Sequence, residues 1–138
     1  MKTDKLKKMS FAEQVWRLKV VSGAAWIFVG AFSCFDNPVC TVLHVLALLI
    51  LPINIIYIAL AKRENSDEMA EENLNMAKAK TLDIMQVLFG VGGIAALLLC
   101  EVAEMDWDWS KMILAVVFVV VGVQNLVSGL IFRKLEAE

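Results

Sequence analysis

The sequence contains few residues that end helices, cross-link chains or bind nucleic acid. Its 138 residues include only 2 prolines, 3 cysteines and 1 histidine, and 13 Lys and Arg against 15 Asp and Glu leave a net charge of -2. So few cysteines exclude a disulfide scaffold. Without a basic excess we expect no nucleic-acid partner. Charged residues make up only 20% of the chain, which argues against an intrinsically disordered protein.

Apolar residues dominate the chain instead. They make up 59% of it, with a mean hydropathy of +0.69, whereas soluble domains are roughly 45–50% apolar. A chain this short cannot bury such an excess in one soluble core. Four apolar stretches approach the length of about 20 residues with which a helix crosses a bilayer. They are Val20–Phe35, Pro38–Ala61, Ile84–Cys100 and Met112–Phe132.

These stretches predict an all-α fold, a four-helix transmembrane bundle. No ten-residue segments alternate between apolar and polar residues, as the strands of a membrane barrel do. Inside a bilayer the backbone must satisfy its own hydrogen bonds, which helices achieve within each segment. The lipid bilayer is therefore the first partner that we expect.

The basic residues predict the orientation of the spans. All but one of the 13 Lys and Arg lie before the first span, between the second and third spans, or after the fourth. They are Lys2, Lys5, Lys7, Lys8, Arg17, Lys19, Lys62, Arg63, Lys78, Lys80, Arg133 and Lys134. The positive-inside rule then places both termini and the central loop in the cytoplasm. We expect a multi-pass protein of the inner or plasma membrane.

The two halves of the chain resemble two copies of one helical hairpin. Gly23 aligns with Gly90, and Asn54 and Asn125 each stand eight residues before a pair of basic residues. We therefore predict one membrane domain, 1–138. It consists of hairpin repeats 15–63 and 82–134 and a cytoplasmic helical loop 62–81. Repeats that start on the same side are parallel and related by an axis along the membrane normal.

The central loop has the charge order of a helix, with acidic residues early and basic residues late, which complements the helix dipole. Met69, Leu74 and Ala77 give it a thin apolar stripe. Two interpretations are open: a solvated spacer, or a docking surface for a cytoplasmic partner.

Gln86 lies near the cytoplasmic end of its span, whereas three other amides, Asn54, Gln124 and Asn125, lie deeper inside the spans. Eight helical residues cover about 12 Å, so Asn54 and Asn125 are expected near the middle of the bilayer. An amide at that depth needs a hydrogen-bond partner. The three amides either bond across helices and hold the bundle together, or line a central polar site.

Small residues and one proline mark where helices can pack closely or bend. The candidate packing residues are Gly23, Gly30, Gly92, Ala96, Gly122 and Gly129. They let helices approach each other within the bundle or between subunits. Pro52 removes the hydrogen bond to the carbonyl of Leu48 and is expected to kink the second span. This kink is either a packing feature or a way to expose a carbonyl to a ligand.

The residues that carry chemistry in enzymes and metal sites are scarce. Cys34 and Cys40 flank one tight turn and either form a disulfide or remain free thiols. His44 stands one turn after Cys40, without the ligand spacing of a zinc site. As the sole histidine, in a span, it cannot complete a Ser/His/Asp set. We therefore expect no metal, no cofactor and no enzymatic activity.

One stretch resembles a known family. Gly23-x-x-x-Ile27-x-x-Gly30, followed by Pro38 and the Leu-rich run Leu46–Leu51, resembles the two-helix repeat of the HdeD-like membrane proteins. These are bacterial multi-span proteins linked with acid stress, and their molecular activity is not understood. The resemblance implies a bacterial inner-membrane location and no catalytic residue. This chain departs from the family in having four spans rather than the usual six, and in Asn54 and the long charged central loop.

Three functions fit these features. Our prediction is a non-enzymatic protein that acts through helix contacts, as a homo-oligomer or as an accessory subunit of another membrane protein. A small oligomeric transporter or channel would use the Pro52 kink and the midplane amides. A sensor of outer pH or cations would use the acidic residues of the outer face, Asp36, Glu101, Glu104, Asp106 and Asp108.

Overall fold

The described part of the chain folds into four long helices. A computed structural model describes residues 9–61, 67–102 and 108–137. The helices are α1, Phe11–Ser33; α2, Pro38–Leu60; α3, Glu68–Val102; and α4, Trp109–Leu135. Each contains a stretch long and apolar enough to cross a membrane. The protein is therefore an all-α, multi-pass membrane protein, as the sequence predicted.

Several residues used in the predictions lie outside the described part of the chain. They are the four N-terminal lysines, Lys62, Arg63, Glu104 and Asp106, and the side chains of Cys100 and Glu101 also lie outside it.

Side-chain caps precede all four described helices. Ser10 Oγ accepts a hydrogen bond from the Glu13 backbone N–H at 3.2 Å, before α1. Asn37 Oδ1 accepts from the Val39 N–H at 2.9 Å, before α2. Asp67 Oδ1 accepts from the Ala70 N–H at 2.8 Å, before α3. Asp108 Oδ1 accepts from the Lys111 N–H at 3.4 Å, before α4. Each cap satisfies a backbone donor that a helix N-terminus leaves free.

A π-helical segment, Trp16–Val21, interrupts α1. In this geometry the backbone N–H groups reach carbonyls five residues back instead of four. The N–H of Ser22 accordingly donates to the carbonyl of Arg17. The sequence alone did not predict this geometry, and the segment contains neither glycine nor proline.

Helix α3 differs from its prediction, which separated a loop helix from the third span. The structure joins the two into one helix of 35 residues. Nothing between Met76 and Met85 breaks a helix, and Ala, Lys and Leu are strong helix formers. Ala77, which is 0% exposed, packs in one cluster with Val15 of α1 and Phe132 of α4. The first part of α3 is therefore docked within the chain.

The helices pack in the order α2, α1, α4, α3, so α1 and α4 form the centre of the bundle. At one end, Asn73 Nδ2 of α3 donates to Glu136 Oε1, just after α4, at 2.8 Å. We call this the basic end, because six of the described basic residues lie towards it: Arg17, Lys19, Lys78, Lys80, Arg133 and Lys134. At the opposite end, Lys111 Nζ lies 2.6 Å from Asp36 Oδ2.

The outer surface of the bundle is apolar. Helix α2 leaves many large side chains exposed, among them Val42, Leu46, Ile53, Ile56 and Leu60. Soluble monomers rarely expose apolar patches larger than a few hundred Å². This surface suits contact with lipid tails.

Candidate functional site: polar contacts of the π-helical segment and an unpartnered helix face

Asn54 joins α2 to the π-helical segment of α1. Its side chain is 5% exposed, and its Nδ2 donates to the Arg17 carbonyl at 2.8 Å and to Ser22 Oγ at 3.0 Å. A carbonyl oxygen has two lone pairs, so that of Arg17 accepts from Asn54 as well as from the backbone of Ser22. The amide is therefore satisfied within the chain.

The side chain of Arg17 strengthens the same junction. Its guanidinium carbon lies 4.4 Å from the centre of the Tyr57 ring of α2, a cation–π contact. Its Nε lies 3.5 Å from Glu13 Oε1, one turn earlier on α1. The second half of α2 is thus held to α1 by the buried amide of Asn54 and by the contact of the Arg17 guanidinium with the Tyr57 ring.

Asn125 joins α4 to the other side of α1. Its Oδ1 accepts a hydrogen bond from Lys19 Nζ at 3.0 Å, and its Nδ2 donates to the Val121 carbonyl at 3.0 Å. Gln124, the third predicted amide, is exposed and lines a cavity beside Lys19. The structure therefore brings Gln124 and Asn125 close to Lys19, while Asn54 contacts a different face of α1.

The sequence did not identify the partners of these amides. Ser22, Lys19 and the Arg17 carbonyl were not among its candidates. One residue could have indicated these partners. Lys19 is a charged residue that lies eight residues inside a helix that begins at Phe11. A charge at such a position calls for polar neighbours.

Glycines bring α1 and α4 into backbone contact. A Cβ on Gly23 would lie 2.7 Å from the Leu126 nitrogen, and one on Gly122 would lie 2.7 Å from the Gly23 oxygen. A Cβ on Gly30 would lie 2.7 Å from the Ala115 oxygen. These distances leave no room for a side chain, which is how small residues let membrane helices pack closely.

Side chains extend the same interface. The rings of Trp26 and Phe118 stack with centres 5.1 Å apart. Towards the basic end, a Cβ on Gly129 would lie 2.6 Å from Val20 Cγ2. Four of the six small residues predicted for packing therefore lie in the contact between α1 and α4.

The other two, Gly92 and Ala96, lie on α3 without a partner in the described part of the chain. A Cβ on Gly92 would have nothing within 4 Å, and Ala96 is exposed. The buried residues described on α3 all precede them, and are Ala70, Ala77, Thr81 and Met85. Gly92 and Ala96 continue the same three- and four-residue spacing, so one face of α3 changes from packed to open along its length.

Helix α4 also has exposed apolar residues in this half of the bundle. Ile113, Leu114 and Val117, in the half of α4 towards the opposite end, are exposed. The open faces of the two helices therefore lie in the same half of the bundle.

The remaining candidates are a proline, two cysteines and a histidine that contacts the neighbouring helix. Pro52 is exposed and α2 continues through it from Pro38 to Leu60; the kink remains a prediction. Cys34 and Cys40 are free thiols, the second of the two states that the sequence left open. His44 Nδ1 lies 3.1 Å from the Val29 carbonyl. Within residues 9–61, 67–102 and 108–137, no group of three His, Cys, Asp or Glu could hold a metal ion.

The aligned positions of the two hairpins have different surroundings. A Cβ on Gly23 would meet α4 at 2.7 Å, whereas one on Gly90 would meet nothing within 4 Å. Asn54 bonds a backbone carbonyl of α1, whereas Asn125 accepts from a lysine. The internal repeat remains a prediction from the sequence.

No family model matches this chain, and no curated protein or solved structure matches it either. The resemblance to the HdeD-like proteins therefore remains an expectation from the sequence. The function is best argued from the contacts of the chain itself.

Proposed function

We propose that this chain is a non-enzymatic integral membrane protein that acts as a dimer, joined through the small-residue face of α3. This face consists of Gly92 and Ala96. The single observation that carries the proposal is that Gly92, like Gly90 and Gly93 beside it on α3, has no described residue within 4 Å of its Cβ position, whereas the glycines of α1 and α4 are all closely packed.

The physical argument starts from lipid as the solvent. Lipid tails are as apolar as the side chains, so close packing of small residues drives helix association. Gly92 and Ala96 stand four residues apart, the small-xxx-small spacing that favours such packing. The chain already uses glycine-to-backbone contacts between α1 and α4. The α3 face is of the same kind but unpartnered.

A second copy of the chain is the occupant that fits this face. Two copies inserted with the same orientation carry their α3 helices in parallel, related by a two-fold axis along the membrane normal. Such an interface is self-complementary, because each copy presents the same patch to the other. The glycine-faced helix pair is a known parallel dimer geometry in membranes.

The contacts of the amides favour this function over transport. Asn54 and Asn125 each have hydrogen-bond partners within the chain. They therefore support the interpretation that the amides of the spans hold helices together. The basic residues support an orientation in which the basic end faces the cytoplasm of an inner or plasma membrane.

The test is the oligomeric state of the full chain in lipid bilayers. We expect the wild-type protein to dimerise and Gly92→Leu/Ala96→Leu to raise the dissociation constant at least about tenfold, or about 1.4 kcal/mol. Gly90→Leu is the matched control. Gly90 also faces open space but lies about 200° around the helix from Gly92, so this variant should dimerise normally. Single-molecule photobleaching at several protein-to-lipid ratios measures the constant.

Two results would overturn the dimer. One is a wild-type protein that stays monomeric at every ratio. The other is a double variant that dimerises as tightly as the wild type. A monomer that co-purifies with another membrane protein, and loses it in Gly92→Leu/Ala96→Leu, would replace the dimer with an accessory-subunit function.

A further inference from the structure

A cavity of about 260 Å³ opens where α1, α3 and α4 meet near the basic end. Its walls are Lys19, Lys78, Thr81, Leu82, Gln124 and Ser128. This volume is large compared with the roughly 30 Å³ that one water occupies in the liquid. The cavity therefore has room for a group the size of a phosphate.

The charge around the cavity is positive. Lys19 and Lys78 line it and repel each other electrostatically. Their nearest polar partners are neutral amides, with Lys19 Nζ 3.0 Å from Asn125 Oδ1 and Lys78 Nζ 3.4 Å from Asn75 Oδ1. Neither lysine forms a salt bridge with any residue that the structure describes. An anion in the cavity would relieve this repulsion.

Ser128 gives an independent indication that this cavity binds a ligand. Its side chain is 3% exposed, and its Oγ has no hydrogen-bond partner among the described residues. Buried polar groups are nearly always satisfied, so an orphaned hydroxyl in a cavity wall points to a group that occupies the cavity. The neighbouring hydroxyl of Thr81 is already used, because its Oγ1 donates to the Ala77 carbonyl at 2.6 Å.

We propose that this cavity binds a phosphate group, with Lys19 and Lys78 supplying the charge and the Ser128 hydroxyl donating a hydrogen bond to a phosphate oxygen. Gln124 can donate a further hydrogen bond from its amide. All of these groups can donate, and none is a carboxylate. Asp83 lines the neighbouring cavity, together with Lys80 and Lys134.

Phosphate at this position has two sources, the headgroup of an anionic phospholipid or phosphate in solution. Ser128 lies seven residues before the end of α4 at Leu135, about 10 Å along the helix. From that depth the long side chains of Lys19 and Lys78 can extend towards the headgroup boundary of a bilayer, where basic pockets between helices bind lipid phosphates. The experiment separates the two sources by using one probe for each.

The test is isothermal titration of the full chain in a non-ionic detergent with dihexanoyl phosphatidylglycerol and with inorganic phosphate. We expect Lys78→Gln to weaken binding about fivefold and Ser128→Ala about tenfold. Lys80→Gln is the matched control. It removes the same charge from the same helix, but from the neighbouring cavity, and should change the affinity by less than about twofold. Circular dichroism melting of each variant checks that it is folded.

The two probes identify the source of the phosphate. Tighter binding of the lipid assigns the site to a headgroup, and equal or tighter binding of inorganic phosphate assigns it to a soluble anion. The proposal is overturned if neither probe binds, or if Lys80→Gln weakens binding as much as Lys78→Gln, since surface charge alone then explains the effect.

An unchanged affinity in a folded Ser128→Ala variant would also overturn the proposal. It would mean that the Ser128 hydroxyl donates its hydrogen bond to a backbone carbonyl of α4 rather than to a phosphate. The cavity belongs to a single copy of the chain, so Gly92→Leu/Ala96→Leu should bind phosphate normally. Failure of this site and failure of the dimer are therefore distinguishable.

Discussion

At the level of single residues, Asn54 provides a buried polar contact that joins α2 to the centre of the bundle. Its amide satisfies both the Arg17 carbonyl and the Ser22 hydroxyl. Lipid offers no replacement for these hydrogen bonds. The contribution to stability is still modest, because hydrogen bonds between membrane helices average around 0.6 kcal/mol.

We predict that Asn54→Leu lowers the free energy of unfolding by about 0.6–1.7 kcal/mol. The substitution leaves the Arg17 carbonyl and the Ser22 hydroxyl with one donor fewer. Thr41→Val is the matched control on the same helix, because Thr41 Oγ1 donates only to the Asn37 carbonyl of its own first turn. Unfolding by sodium dodecyl sulfate, followed by circular dichroism, measures both variants. Equal losses in the two variants would contradict the assigned role of Asn54.

The sequence predicted that these amides need hydrogen-bond partners, but it did not predict which groups those partners are. Depth in an apolar span is readable from residue spacing, because each helical residue advances by a fixed rise. The acceptor of Asn54 is a backbone carbonyl in a π-helical segment. Which carbonyl accepts depends on how α1 and α2 pack against each other, and no single residue encodes that geometry.

At the level of helices, the contact between α1 and α4 depends on glycine at three positions. A Cβ atom added to Gly23, Gly30 or Gly122 would lie 2.7 Å from a backbone atom of the other helix. Backbone cannot move aside as the end of a flexible side chain can, so any larger residue must push the two helices apart.

We predict that Gly122→Ala lowers the free energy of unfolding by about 1–3 kcal/mol, because its added methyl group meets the Gly23 oxygen and the Ile27 nitrogen at 2.7 Å. Gly90→Ala is the matched control and should cause no loss, because its Cβ meets open space and alanine favours the helix. The same detergent titration measures both. A Gly122→Ala protein as stable as Gly90→Ala would show that α1 and α4 are not in backbone contact.

The positions of the four spans were predictable, and two features of the helices were not. The length of an apolar stretch identifies a span, because every turn of a helix that crosses the bilayer contacts either lipid tails or another helix. The continuity of α3 was missed because its charge pattern was interpreted as a separate loop helix, although no residue between Met76 and Met85 ends a helix. The π-helical segment was missed because Trp16–Val21 has the composition of an ordinary helix.

At the level of the whole molecule, α1 and α4 lie at the centre of the bundle, with α2 packed against α1 and α3 packed mainly against α4. The sequence could not predict this order. Apolar residues cover every face of each span, so hydrophobic periodicity does not reveal which face packs against another helix. This order leaves the second part of α3 exposed, and both the proposed dimer interface and the proposed phosphate site involve this helix.

The central claim is that the chain crosses the membrane four times with its basic end in the cytoplasm. It is tested by labelling single cysteines in a cysteine-free variant with a membrane-impermeant maleimide, before and after cells are permeabilised. Phe35→Cys should be labelled in intact cells, since it lies in the turn between α1 and α2. Glu68→Cys and Ala137→Cys should be labelled only after permeabilisation. Labelling of Glu68→Cys in intact cells, or different accessibility of positions 68 and 137, would contradict the account.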